Sequence, residues 1–152
     1  MISIIITAVA VAWFVLALFL SHQVGTGTTQ LSLGMTRWLV RQLNRVTGFD
    51  VSMEAFHILL RRSAHVIVFL VLTALVCMSL WLLSREHHQP LRPWTGFLFC
   101  LAFCWLDEVT KIGISGRHFS WFDVGLNVIG CLVGAGIYRL IRNRVERTRQ
   151  AV

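Results

Sequence analysis

Four long apolar runs set the frame of the chain. The first, residues 2–20, is broken only by Ser3 and Thr7. It lacks the basic leading region and the small-residue cleavage site of a secretory signal, so it is expected to stay as a spanning helix. The second run, 64–83, carries His65 near its start. The third, 93–113, begins at Pro93, a favoured first residue of a helix, and is apolar until it meets Asp107 and Glu108. The fourth, 121–141, carries Asp123 and Asn127 in its first turns. Between the first two runs, Leu31, Met35, Trp38, Leu39, Gln42 and Val46 recur at helical spacing. Arg37, Arg41 and Arg45 line another side of the same segment. An apolar stripe with a Trp beside an arginine row predicts a helix over 31–46 lying in the membrane interface. The expected architecture is an all-α membrane protein of four transmembrane helices plus that interfacial helix, forming a single domain over 1–152.

Composition agrees with this pattern and excludes other classes. Of 152 residues, 56% are hydrophobic and 14% charged, against about 25% charged in a soluble domain. Mean hydropathy is +0.69. A disordered chain is excluded, and an ordinary soluble enzyme is not expected. The net charge of +7 comes from 14 basic residues, all but Lys111 being Arg. These bases flank the apolar runs and form no single patch, so membrane lipids and anionic, phosphate-bearing substrates are the expected partners, and nucleic acid is not. Cys77, Cys100, Cys104 and Cys131 all lie inside apolar runs, where small buried structural cysteines are expected.

Four spans place both termini on one side. The bases divide seven and seven between the two sides, and the Arg-rich tail (Arg142, Arg144, Arg147, Arg149), whose charges sit nearest a span, is the reason to expect that side to be cytoplasmic. Whichever side is inside, an antiparallel bundle gathers the start of the second run, the end of the third and the start of the fourth at one membrane face. Arg61, Arg62, His65, Asp107, Glu108, Lys111, Arg117, Asp123 and Asn127 all fall there. Asp107 lies fourteen residues into its run, about 21 Å at 1.5 Å per residue, against a hydrocarbon core of ~30 Å. A charge at such depth costs roughly 2.5–3.5 kcal/mol on insertion scales, so pairing or a polar cavity is expected.

Each of these residues also has a purely architectural use. Arg61 and Arg62 can anchor a helix end, Asp107 and Lys111 form an i,i+4 pair, and Ser120 with Asp123 suits a helix cap. Asp123, Asn127, Gly130 and Gly134 follow i, i+4, i+7 and i+11, so one helix face bears the polar pair and a small-residue contact surface.

The succession Arg62-x2-His65-x3-Phe69, Asp107-Glu108-x2-Lys111, Arg117, Asp123-x3-Asn127-x2-Gly130-x3-Gly134 resembles the VanZ-like family of small bacterial membrane proteins, over residues 54–141. That family commonly has Gln where Lys111 stands and Tyr where Phe69 stands. The first difference adds a charge beside the acidic pair, and the second removes a hydroxyl. The resemblance implies a bacterial cytoplasmic-membrane protein with a role in the cell envelope or in glycopeptide resistance, since the family takes its name from a resistance determinant that lowers susceptibility to teicoplanin. It implies no particular reaction.

Two function classes follow. In the first, an outward-facing polar pocket acts on an anionic lipid or lipid-linked envelope substrate. His65, Asp107, Glu108 and Asp123 are then the candidate acid and base groups, and Arg62, Lys111, Arg117 and Asn127 the candidate substrate contacts. In the second, the same pocket binds a lipid or the glycopeptide itself without chemistry, shielding or moving it. No nucleophile elbow, P-loop or zinc motif is present, and no cofactor is legible. His65 with the three carboxylates is a conceivable ligand set, but without an H-x3-H pair no metal is assigned.

Overall fold

A computed structural model describes residues 1–22, 25–48, 52–87 and 92–150, without the side chains of 25–32 and 47. The described residues are helical throughout their regular elements, with no strand. The helices are α1 (Ile2–Ser21), α2 (Gly25–Thr47), α3 (Met53–His87), α4 (Pro93–Thr110), which runs into a single 3-10 turn (Lys111–Gly113), and α5 (Trp121–Gln150). Three of them, α1, α3 and α5, are long and apolar enough to cross a membrane. Much of their apolar surface points outward: Ile2, Phe19, Ile67 and Leu132 are each more than half exposed. A soluble monomer does not present contiguous apolar surface on this scale.

The helices outrun the hydropathy pattern at both ends of the bundle. α3 starts eleven residues before the apolar run, capped by Ser52, whose Oγ accepts from the Ala55 amide at 3.3 Å. Glu54, His57, Arg61 and Arg62 lower hydropathy without lowering helix propensity, so the apolar run marks only the middle of the helix. α5 likewise continues past residue 141 to Gln150, helped by the Arg142–Glu146 pair at i,i+4.

Contacts between side chains fix the topology. Ser3 bonds Glu86, Thr7 Oγ1 lies 2.7 Å from Ser79 Oγ, and Trp13 Nε1 donates to the Val68 carbonyl at 3.0 Å, so α1 runs antiparallel to α3. The buried face of α1 is Ser3, Ala10 and Ala17, a seven-residue spacing of small side chains that lets it lie close. α4 is also antiparallel to α3: the Cys77 thiol donates to the Pro93 carbonyl, and Phe69 stacks on Phe103, centroids 5.6 Å apart. α5 runs parallel to α3, and among the described residues theirs is the most extensive contact between helices. A Cβ at Gly130 would strike the Val66 carbonyl oxygen, and one at Gly134 the Leu70 carbonyl oxygen. These two glycines put the α5 backbone directly on that of α3. The core between the helices is built of Phe69, Leu72, Cys100, Phe103, Cys104 and Cys131.

α2 packs on the early part of α3 through buried Thr36 and Val40, with Thr36 Oγ1 3.3 Å from His57 Nδ1. Met35, Trp38 and Val46 of the expected apolar stripe stay exposed beside Arg37, Arg41 and Arg45. Leu31, also assigned to that stripe, lies outside the described side chains.

Candidate polar site between α3, α4 and α5

The parallel pairing of α3 with α5 decides what meets at their N-terminal ends. Ser120 starts α5, its Oγ accepting from the Asp123 amide at 3.2 Å. Asn127 sits three residues before Gly130, so the close approach at Gly130 presses it against α3 one residue before Val66. There His65 Nδ1 lies 3.1 Å from Asn127 Oδ1. An amide oxygen only accepts, so Nδ1 carries the hydrogen and Nε2 is left as the exchangeable position of the ring. Nε2 faces Asp123 Oδ2 at 3.8 Å. Asn127 therefore orients the imidazole, and Asp123 faces its other nitrogen.

α4 brings the second half of the cluster. Lys111, at the start of the 3-10 turn, reaches back over the last turn of the helix. Its Nζ lies 3.1 Å from Asp107 Oδ2 and also bonds Glu108 Oε1. One ammonium is shared by two carboxylates, and all three groups are buried: Asp107 and Lys111 are 4% exposed and Glu108 is sealed. The i,i+4 pairing was legible in the spacing, but the Glu108 bond at i,i+3 was not. The two halves share one end of the bundle, where Cys104 of α4 and Cys131 of α5, one turn from Glu108 and Asn127 respectively, touch at 3.4 Å. Glu108 Oε2 and Asn127 Nδ2 are sealed and make no hydrogen bond.

Two arginines stand at the edge of this cluster. Arg62 is exposed, its guanidinium 4.7 Å over the Phe122 ring, a cation–π contact that holds it across the start of α5. Phe122 was not among the residues marked from sequence; an aromatic at the helix start opposite an Arg was its only signal. Arg117 is half-buried in the connection between α4 and α5. Burial, then the like charge of Arg61, pulls its pKa down, while Asp107, Glu108 and Asp123 hold it up. It thus senses all three carboxylates, and a guanidinium stays charged under any physiological condition. All eight candidate residues, His65, Asp107, Glu108, Asp123, Arg62, Lys111, Arg117 and Asn127, are gathered at this one end of the bundle. Among the described residues no three His, Cys, Asp or Glu side chains are grouped to hold a metal ion.

A separate groove of about 210 Å³ opens between α1, α3 and α4, lined by Thr7, Val11, Phe14, Val76, Ser79 and Phe99. Val76 is eleven residues along α3 from His65, about 16 Å. The groove is apolar and distinct from the charged cluster.

A family profile described as VanZ/LLP1 matches residues 6–142 of the chain. No curated protein and no solved structure matches it.

Proposed function

The chain belongs to the VanZ/LLP1 family, and on that premise we propose that it acts in the bacterial cell envelope by engaging an anionic lipid or lipid-linked envelope substrate at the polar end of α3, α4 and α5. The observation that carries this reading is the sealed Asp107–Glu108–Lys111 group at the same end of the bundle as the His65–Asn127 pair, with Arg117 and Arg62 at the edge. Charges retained in an apolar bundle at this cost mark function more often than architecture. Arg117 and Arg62 contact the phosphate, which the planar guanidinium suits. His65 Nε2 takes or gives a proton, with Asp123 as its partner. Resistance to teicoplanin is one outcome of such an activity. In this account α4 is the fourth crossing. Its eighteen residues span about 27 Å, and Lys111 offsets the acids that lower its hydropathy. α2 lies in the interface with Trp38 in the acyl boundary and its arginines among headgroups.

The mutual neutralisation of Lys111 by two carboxylates favours a second reading, in which the same pocket binds, shields or moves its lipid or glycopeptide without chemistry. Turnover of bound lipid separates the two.

The test pairs His65→Gln with Arg117→Lys, scored for teicoplanin susceptibility, or for the envelope phenotype that deletion reveals, beside membrane abundance. Gln cannot act as an imidazole base, and Lys loses the bidentate fork. Loss of function at normal abundance is expected, and wild-type behaviour of both variants sinks the proposal. Orientation is tested separately. With both termini cytoplasmic, a Ser115→Cys reporter reacts with an impermeant maleimide from outside and a Thr148→Cys reporter only after permeabilisation. The four native cysteines are buried and leave both positions clear. The reverse labelling overturns the orientation.

A further inference from the structure

The residues that carry the two unpartnered atoms of the sealed cluster stand at the same level of the bundle. Cys104 and Cys131 touch across α4 and α5, Sγ to Sγ 3.4 Å. These helices are antiparallel, so one turn forward from Cys104 is Glu108, and one turn back from Cys131 is Asn127. Glu108 spends Oε1 on Lys111 and leaves Oε2 open; Asn127 spends Oδ1 on His65 and leaves Nδ2 open. One orphan is an acceptor and the other a donor. Native interiors rarely leave either unmade, and here both are unmade at one level between two facing helices.

We propose that a ligand hydroxyl seats between them, donating to Glu108 Oε2 and accepting from Asn127 Nδ2. The ligand is then a phosphoester with a hydroxyl close to its phosphate, of the glycerol-phosphate kind. This inference rests on the reading of the site as one that engages a lipid phosphate. The pairing is selective among the groups a headgroup can offer. A phosphate oxygen would accept from Asn127 but be repelled by the Glu108 carboxylate. An ammonium would satisfy Glu108 but face the Asn127 N–H with nothing to accept it. A hydroxyl serves both. The phosphate itself stays outward with Arg117 and Arg62, because Lys111 is already held by two carboxylates. Since both orphans are sealed, the hydroxyl enters by parting α4 from α5 at the end where residues 114–120 connect them. The same chemistry is offered by a lipid headgroup or by soluble glycerol phosphate.

The experiment is native mass spectrometry of the full chain in detergent, titrated with phosphatidylglycerol, phosphatidylmethanol and phosphatidylcholine. Phosphatidylmethanol keeps the charge of phosphatidylglycerol and lacks its hydroxyls. Phosphatidylglycerol should bind roughly tenfold or more tightly than phosphatidylmethanol, as expected where a site built for a hydroxyl meets an analogue without one. Asn127→Leu and Glu108→Gln should each bring the two lipids level, and Glu108→Gln leaves the Asp107–Lys111 pair to hold the fold. Displacement of the lipid by soluble glycerol phosphate would identify the soluble source, and its failure to compete the lipid source; each is compatible with the hydroxyl. Equal binding of both anionic lipids, with both above phosphatidylcholine, overturns the hydroxyl and leaves the phosphate reading standing. Preference for phosphatidylglycerol that survives both substitutions also overturns it. No anionic preference at all removes both.

Discussion

At one end of the α3–α5 pair, Arg142 Nε bonds Glu146 at 2.9 Å with side chains 41% and 38% exposed, Arg85 lies over Trp81, and the Met1 amine stands 3.7 Å from Glu86. At the other end, Lys111 is shared by Asp107 and Glu108 with side chains 5%, 4% and 0% exposed. Both ends carry acid–base pairs, yet the Arg142–Glu146 pair is open to solvent and the Lys111 trio is sealed. Exposed pairs exchange protein contacts for water contacts and are screened by salt, so they hold helix ends in register and do little more. A sealed trio has no water to fall back on, and each member depends on the others. Hydrophobic helices need charged ends to stop at an interface, which accounts for Arg142 and Glu146. It does not account for Glu108, which is fully buried in the last turn of α4.

The comparison breaks most visibly at Lys111. Lys111→Met leaves two carboxylates sealed and unpaired and should cost about 3–5 kcal/mol, seen as lost membrane abundance and a lowered Tm in detergent. Asp107→Asn leaves Lys111 with Glu108 and should cost far less. Equal damage from the two would mean that the trio is not a unit.

Backbone contact at the middle of the pair comes next. Gly134→Ala drives a Cβ into the Leu70 carbonyl oxygen, with Ala74 N 3.2 Å away, and should cost about 1–3 kcal/mol. Gly136→Ala, two residues on with nothing within 4 Å of its would-be Cβ, should be neutral or gain slightly from helix propensity. A Gly134→Ala protein as stable as wild type would show that α5 can stand off from α3, and the His65–Asn127 geometry would lose its footing.

The gathering of the polar residues was legible because it follows from antiparallel connectivity, and Gly130 and Gly134 were legible as a contact face because small residues at i,i+4 have few other uses in an apolar helix. Helix ends were not, since Glu54, Arg61 and Arg62 of α3 signal the edge of hydrocarbon and say nothing about where the hydrogen-bond ladder stops. The second partner of Lys111 was hidden by local geometry: the 3-10 turn tightens the chain at Lys111 and brings i,i+3 into reach beside i,i+4. The seam of α1 on α3 was missed altogether. Ser3 and Thr7, one turn apart in an otherwise apolar run, were its only trace, and their partners Glu86 and Ser79 lie more than seventy residues away.

The central claim is that the sealed end holds an anionic headgroup and the exposed end does not. The direct measurement is retention of phosphatidylglycerol by the purified chain, compared between Arg117→Lys and Arg142→Lys. Both substitutions keep a charge and remove a guanidinium, one at each end. The account predicts roughly tenfold weaker retention for Arg117→Lys, a difference of about 1.4 kcal/mol, and wild-type retention for Arg142→Lys. Equal retention by the two variants, or loss confined to Arg142→Lys, would contradict it.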